Sequence, residues 1–159
     1  SSYWNLLLHL IEKYVGREMS IMAAKFFAIE IDRKSQSPFV MFNGQKKHED
    51  ESIKKAQEFI EHNYSGGLSV EALADRFAIG RRHFERRFKK ATNTTPAEYI
   101  QRVKIEAAKK QLENTSKNIS EVMYDTGYSD PKAFRTAFKK LTGLSPVEYK
   151  QKYNRQAAA

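Results

Sequence analysis

An internal repeat is the sequence feature that most restricts how this chain of 159 residues can fold. Residues 84–99 contain two phenylalanines four positions apart, then two lysines, a threonine and a Pro-x-Glu-Tyr sequence. The same residue types return at the same spacing in 134–149, fifty positions later. Two copies are too few for a solenoid, which needs about three or more repeats to bury its core. The repeat therefore predicts two similar small subdomains.

Each copy has the apolar pattern of a helix, a tight turn and a second helix. In the first copy, about 69–91, Ser69 is suited to cap the first helix. Phe84 and Phe88 lie on one side of the second helix, and its charged residues lie on the other. The second copy, about 118–141, repeats this arrangement. A turn between two helices, the second with one apolar stripe and one basic face, is typical of a helix-turn-helix unit.

A longer helix is predicted between the two copies, over about 96–113. Thr95 and Pro96 are residue types preferred at a helix start, and Glu98 follows at the position typical of a capping box. The helix would be about 27 Å long at about 1.5 Å per residue, and its apolar residues cover two sides. A core helix of a single bundle is the alternative. Because major-groove segments on one face of B-DNA repeat about every 34 Å, such a helix could hold two recognition helices in consecutive segments.

Positive charge is concentrated in the repeated part. The chain carries a net charge of +9, and residues 50–159, with 21 basic and 14 acidic side chains, contribute +7 of it. An isolated run of charge is most often a solvated helix face. Here the charges occupy the outward positions of the second helix in each copy. For His83 we weigh contact with a phosphate against a place at the border of the core, and we prefer the second.

Two sets of residues are candidates for contacting DNA. The outward positions hold Arg81, Arg82, Glu85, Arg86, Lys132, Arg135 and Thr136, and the helix ends hold Lys89, Lys90, Lys139 and Lys140. Arginine and lysine suit guanine edges, threonine suits several bases, and glutamate can accept a hydrogen bond from cytosine. We therefore expect base contacts from the first set and phosphate contacts from the lysines at the helix ends.

Several functional classes are disfavoured by what the chain lacks. It has no cysteine, which excludes disulfides, thiolate nucleophiles and cysteine-based zinc sites. Its four histidines are scattered without an i,i+4 pair, and it has neither a Gly-x-Ser-x-Gly motif nor a phosphate-binding glycine loop. We therefore expect no enzyme activity, no cofactor and no metal. No apolar run reaches the roughly 20 residues that cross a membrane, and the start lacks a basic secretory signal, so we expect a cytoplasmic protein without a membrane partner.

The first part of the chain differs from the repeated part. Residues 1–42 contain one clear amphipathic helix, a second apolar helix and too little else to enclose their hydrophobic surface. Residues 43–49 are almost wholly polar and predict a linker, so that the repeated part occupies 50–159. We expect 1–42 to be the end of a larger domain, or a segment that packs on a partner.

The repeated part, 50–153, resembles the DNA-binding domain of AraC/XylS-type bacterial transcription regulators. The residues that carry the resemblance are Leu73-Ala74, Phe84-x-Arg86-x-Phe88-Lys89-Lys90, Thr95-Pro96, Ile119-x-x-Val122, Gly127-Tyr128-Ser129-Asp130, Phe134-x3-Phe138-Lys139-Lys140 and Gly143-x-Ser145-Pro146-x-Glu148-Tyr149. The resemblance implies seven helices, two helix-turn-helix units and promoter binding as an activator or repressor, with RNA polymerase as a further candidate partner. It also places the family's base-reading positions on Arg82, Glu85, Arg86, Lys132, Arg135 and Thr136.

Residues 1–42 resemble the tail of a class I glutamine-amidotransferase-like domain, which precedes the DNA-binding part in one AraC-type subgroup. The matching residues are Tyr14-Val15-Gly16, Met22-Ala23-Ala24 and Asp32-Arg33-x2-Gln36-Ser37-Pro38-Phe39. This resemblance implies that the chain is a fragment of a longer protein. A small-molecule effector would then bind the missing N-terminal domain.

The expected fold is all-α, with two helix-turn-helix subdomains joined by a long linker helix and an N-terminal two-helix segment from a larger α/β domain. The expected function is sequence-specific binding of double-stranded promoter DNA, through two consecutive major-groove segments, in transcription regulation. The alternative is a basic helical module that binds RNA or protein without reading a DNA sequence. RNA readers commonly expose aromatic residues for base stacking, whereas the paired phenylalanines are predicted to be buried.

Overall fold

The computed structural model describes residues 40–156. The prediction of an all-α fold is confirmed for this range, which contains no strand. Its seven α-helices are α1 (Glu51–Asn63), α2 (Val70–Arg76), α3 (Arg81–Thr92), α4 (Pro96–Asn114), α5 (Ile119–Asp125), α6 (Pro131–Thr142) and α7 (Pro146–Tyr153). Short 3-10 helices span Val40–Lys46 and Tyr64–Gly66. The two helices and the amidotransferase-like segment predicted for the start of the chain fall on 1–39, outside the described residues.

Short polar residues begin most of these helices. Six of them accept a hydrogen bond from a backbone N–H of the first turn, namely Asp50, Ser69, Thr95, Asn118, Asp130 and Ser145. Among the α-helices of 40–156, α3 alone begins without such a side-chain bond, because Gly80 precedes it. α3 and α6 both end on a residue with positive φ, Asn93 (62°) and Gly143 (80°), whose N–H donates to the carbonyl of Lys89 or Lys139. These local signals explain why the repeat in the sequence becomes a repeat in the structure.

The repeated aromatic residues form two equivalent cores. In the first, the ring centroid of Phe88 lies 5.8 Å from that of Phe84 and 5.4 Å from that of Tyr99. In the second, the corresponding distances, from Phe138 to Phe134 and Tyr149, are 5.9 Å and 5.3 Å. All six rings are buried. Burial of side chains this large supplies about 1.5–3 kcal/mol each, so the aromatic stripe fixes which side of α3 and of α6 faces inward.

A tyrosine–glutamate hydrogen bond closes each core. The hydroxyl of Tyr99 donates to Glu61 in α1 across 3.2 Å, and that of Tyr149 donates to Glu113 in α4 across 2.6 Å. Burial, and then the adjacent carboxylate, raises the pKa of both phenols well above the usual range. The two glutamates are 52 residues apart, and the apolar residues before them recur at the same offset, Ile53, Ala56 and Ile60 as Ile105, Ala108 and Leu112. The repeat therefore begins earlier than the sequence analysis placed it, in α1 and in α4.

The central helix belongs to both copies. The sequence predicts it over 96–113, and α4 runs Pro96–Asn114. It contacts α1 and α3, which with α2 we call the first unit, and also α5, α6 and α7, which we call the second unit. Buried residues accordingly extend along most of its length. α4 thus contributes buried residues to both cores.

The polar stretch 43–49 packs against the first unit. Phe42, just before it, is 3% exposed. Lys46 forms an ion pair of 2.6 Å with the buried carboxylate of Glu61, and the ring of His48 is hydrogen-bonded to the buried Gln57 across 2.8 Å. The sequence predicts a linker here because the stretch has almost no apolar residues. Its contacts with the first unit are made by polar side chains, and a hydropathy pattern does not reveal such contacts. The chain divides into two compact parts between Val40 and Met41, slightly before that stretch, and the first and second units both lie in the later part.

No helix within 40–156 combines the length and the hydropathy that a membrane span requires.

Candidate nucleic-acid interface

The basic face of α3 points to solvent. Arg81, Arg82 and Arg86 are exposed, and Glu85 is half-buried. His83 is exposed as well, so the expectation that it borders the core is wrong. Its position follows from the helical period, because the buried stripe is already filled by the aromatic rings of neighbouring turns.

The charges on this face are not equivalent. Arg81 donates to Glu85 one turn later across 3.4 Å, an exposed pair of the kind worth a few tenths of a kcal/mol. Arg82 and Arg86 have no carboxylate partner within 40–156. Their guanidinium groups are therefore free to bind a ligand without first breaking an ion pair.

An open depression runs beside α3. Arg82, Glu85, Arg86, Lys89, Lys90, Thr95 and Ala97 line it. The two lysines lie in the last turn of α3 and are exposed. The depression therefore carries four positive side chains and one negative one, and its chemistry suits a polyanion.

The second unit repeats this face with different residues. Lys132, Arg135 and Thr136 are exposed on α6, opposite the buried phenylalanines. Lys139 and Lys140 are exposed in the last turn, as their counterparts are in α3. None of these cations has a carboxylate partner in the part of the chain that the structure describes.

The N-termini of the two helices differ in charge. The carboxylate of Asp130 caps α6 and accepts the N–H of Lys132 across 3.1 Å. Gly80, at the same place before α3, brings no charge. An anion near the first turn of α3 would meet unpaired N–H groups and arginines, whereas near α6 it would also meet a carboxylate.

Arg87 is a residue of this region that sequence reasoning missed. Its guanidinium donates two hydrogen bonds to Asp50, from Nε to Oδ2 at 3.0 Å and from Nη2 to Oδ1 at 2.7 Å. The aspartate also caps α1 by accepting the N–H of Ile53 across 3.3 Å. The partners are 37 residues apart, so no local pattern signals the pair.

Metal binding has no geometric support among the described residues, where no three histidine or acidic side chains converge.

Comparison with known proteins decides the family. The chain matches the family model described as "Helix-turn-helix domain" over residues 73–152, half of its length. This chain belongs to the AraC-type helix-turn-helix family. The matched region extends from α2 to α7, and so it contains α3, α6 and the helix α4 between them.

Two curated relatives illustrate the match. The chain is 35% identical over 78 residues to the HTH-type transcriptional activator RhaS of Mannheimia succiniciproducens, covering 49% of this chain and 29% of the relative. It is 36% identical over 92 residues to the bifunctional transcriptional activator/DNA repair enzyme AdaA of Bacillus subtilis, covering 58% of this chain and 44% of the relative. The chain thus spans less than half the length of either relative.

One solved structure adds a bound ligand to the comparison. The DNA-binding domain of the global transcriptional factor AdpA, in complex with a target DNA, is 28% identical, with a TM-score of 0.61. The match covers 64% of this chain and 91% of that one. The AraC-type domain described here is therefore similar in fold to one that has been solved on DNA.

Proposed function

We propose that this chain is a transcription regulator that binds double-stranded DNA in a sequence-specific manner. In this proposal α3 and α6 enter two consecutive major-groove segments. The observation that carries it is the duplicated helix with a buried aromatic stripe and an exposed cationic face. On that face Arg82, Arg86, Lys132 and Arg135 form no ion pair with any carboxylate of 40–156. The AraC-type domain and its similarity to a DNA-bound relative support the same conclusion.

The side chains divide between two roles in this proposal. Base contacts are assigned to Arg81, Arg82, Glu85, Arg86, Lys132, Arg135 and Thr136, and phosphate contacts to Lys89, Lys90, Lys139 and Lys140. Arginine can bind guanine through two hydrogen bonds, and each such contact contributes about 1–3 kcal/mol of discrimination against the wrong base. The lysines stand at the helix ends, where phosphate contacts would set orientation without reading sequence.

α4 is the spacer in this mechanism. Its 19 residues give a length of about 28 Å at about 1.5 Å per residue. Because it is packed into both units, it restricts how far their recognition helices can move relative to each other. A single chain could then bind two segments about one turn of B-DNA apart, about 34 Å, without forming a dimer.

An RNA-binding or protein-interaction module is the alternative, and one observation argues against RNA. The phenylalanines of α3 and α6 are buried, so their rings are not available for the base stacking that RNA readers commonly use. Tyr124 and Tyr153 are 63% and 44% exposed, but they lie on α5 and α7.

We propose regulation of a promoter, as activator or repressor, with RNA polymerase as a further candidate partner, and a cytoplasmic location where DNA is accessible. We retain 1–42 as the end of a sensor-like domain, 43–49 as its connection and 50–159 as the DNA-binding domain. An effector would act through the sensor-like domain. Catalysis is not part of the proposal, although one relative's name includes DNA repair.

Selection from a random duplex library tests the proposed function. The full chain is incubated with duplexes that carry a long random segment, and bound sequences are enriched and read. We expect a motif in two parts separated by about one helical turn. No enrichment over scrambled DNA would contradict the proposal. Equal or tighter binding to single-stranded RNA of matched length would favour the alternative.

A further inference from the structure

A fork-shaped ion pair ties the start of α1 to the recognition helix of the first unit. Both donors of Arg87 that contact Asp50 lie within 3.0 Å of a carboxylate oxygen. The backbone N–H of Asp50 also donates a hydrogen bond to Nδ1 of His48, and Nε2 of the same ring is hydrogen-bonded to the buried Gln57. The carboxylate that holds α3 is therefore itself held by α1 and by the segment before it.

The second unit has no equivalent tie. Fifty residues after Arg87 stands Ala137, which is 3% exposed and part of the second core. At the 52-residue offset that relates α1 to α4, Asp50 corresponds to Arg102. The ion pair is thus an addition to the repeated design, confined to α3.

The tie lies next to a proposed base-reading residue. Arg86 precedes Arg87, and successive residues of an α-helix are fixed at about 100° to each other, so holding one side chain holds the rotation of the other. A rotation of α3 by about 20° would move a group about 6 Å from the helix axis by about 2 Å. Recognition geometries tolerate about 0.5 Å and 10–20°, so this rotation would misplace Arg86.

We propose that Asp50 and Arg87 are positioning residues for DNA reading by the first unit. The pair fixes the rotation of α3, so that Arg82 and Arg86 meet the first DNA segment without further ordering. Preorganisation of this kind raises affinity by reducing the ordering cost of binding. The inference rests on the proposed function and adds to it that the N-cap of α1 takes part in recognition of the first DNA segment only.

Direct contact of Arg87 with a phosphate is the competing explanation, and the two differ in the sign of one effect. If Arg87 bound phosphate, Asp50 would compete for it, and Asp50→Asn would strengthen binding to every duplex. If the pair positions α3, Asp50→Asn weakens binding to the first segment alone. Asparagine is as good an N-cap as aspartate, so the start of α1 is preserved in this variant.

The experiment measures the affinity of the full chain for three duplexes: the selected motif, the motif with its first part scrambled and the motif with its second part scrambled. The part read by α3 is the one whose scrambling costs Arg82→Ala less affinity than it costs the parent chain. We expect Asp50→Asn and Arg87→Gln each to reduce discrimination at that part by about threefold to fivefold, the upper range for an ion pair near the protein surface. Discrimination at the other part should not change.

Two controls separate positioning from a general loss of structure. The double variant should lose no more discrimination than either single variant, because both remove the same pair. Asp125→Asn removes the Lys117–Asp125 pair of 2.7 Å in the second unit and should leave the first part unaffected. Unchanged discrimination in Asp50→Asn, while the parent chain selects its motif, would overturn this inference and leave the proposed function standing. Failure of the parent chain to select any motif would remove both.

Discussion

At the scale of single residues, the helical period makes the outward face of α3 and α6 predictable. Arg82 and Arg86 stand four positions apart, and the structure exposes both. The period does not reveal partners distant in sequence. Arg87 follows Arg86 directly, yet its carboxylate lies on another helix. The same period also places His83 on the exposed side, next to the buried Phe84.

Substitution of one arginine and one lysine of α3 should separate base reading from phosphate contact. Arg86→Ala is expected to reduce discrimination between the selected and random duplexes by about 1–3 kcal/mol, since a paired contact to a base edge is lost. Lys89→Ala should weaken both duplexes equally and lower the slope of log affinity against log salt by about 1. Titrations at several salt concentrations measure both effects. Equal losses on the two duplexes for Arg86→Ala would remove it from base reading.

The acid dependence of stability should change when Asp50 is replaced. The hydrogen bonds from Arg87 lower the pKa of Asp50 below its usual value near 3.8. Burial opposes this shift, and the hydrogen bond from the backbone N–H of Ile53 adds to it. A carboxylate whose pKa is lowered by folding stabilises the protein above the unfolded pKa and loses this effect as pH falls through the folded one. The parent chain should therefore exceed Asp50→Asn in unfolding free energy at pH 7, by up to about 1 kcal/mol.

Urea unfolding of both proteins between pH 7 and pH 2 measures this difference. The gap should stay constant down to about pH 5 and close progressively below it. A gap that widens on acidification would show that the carboxylate is not stabilised in the folded state.

At the scale of helices, the starts are predictable because capping is local. Ser69, Thr95 and Ser145 accept bonds from residues three positions on, within the range that a sequence pattern describes. The correspondence between α1 and α4 is not local in this sense. It rests on a few apolar positions and one glutamate in each helix. The structure reveals the correspondence because Tyr99 and Tyr149 donate hydrogen bonds to the two equivalent glutamates.

The turn before α6 contains a glycine whose replacement should be costly. Gly127 has a φ of 87°, and a Cβ added there would lie 2.8 Å from the backbone carbonyl oxygen of Tyr64. Gly143 has a similar φ of 80° with no atom within 4 Å of the added Cβ, so it is a matched control. Gly143→Ala should cost about 1–2 kcal/mol, for the left-handed backbone alone. Gly127→Ala should cost a further 1–3 kcal/mol, roughly, for the overlap.

Chemical unfolding of the two glycine variants checks this comparison. Equal losses would mean that the segment Tyr64–Gly66 shifts away freely and does not hold the second unit against the first.

At the scale of the whole molecule, the shared helix α4 is the feature on which the account depends. The sequence predicts its existence from Thr95-Pro96 and from an apolar surface too broad for one neighbour. The structure adds that its end, at Glu113, closes the second core as Glu61 closes the first. The polar stretch 43–49 could not be placed from sequence, because its contacts are ion pairs and amide bonds with partners that only folding brings near.

Affinity for a selected duplex with five base pairs inserted between its two parts tests whether α4 fixes the spacing of the two units. Half a helical turn carries the second part to the opposite face of the DNA, beyond the reach of units joined by a rigid helix. The full chain should bind this duplex no more tightly than one whose second part is scrambled. Affinity equal to that for the uninterrupted duplex would contradict the account.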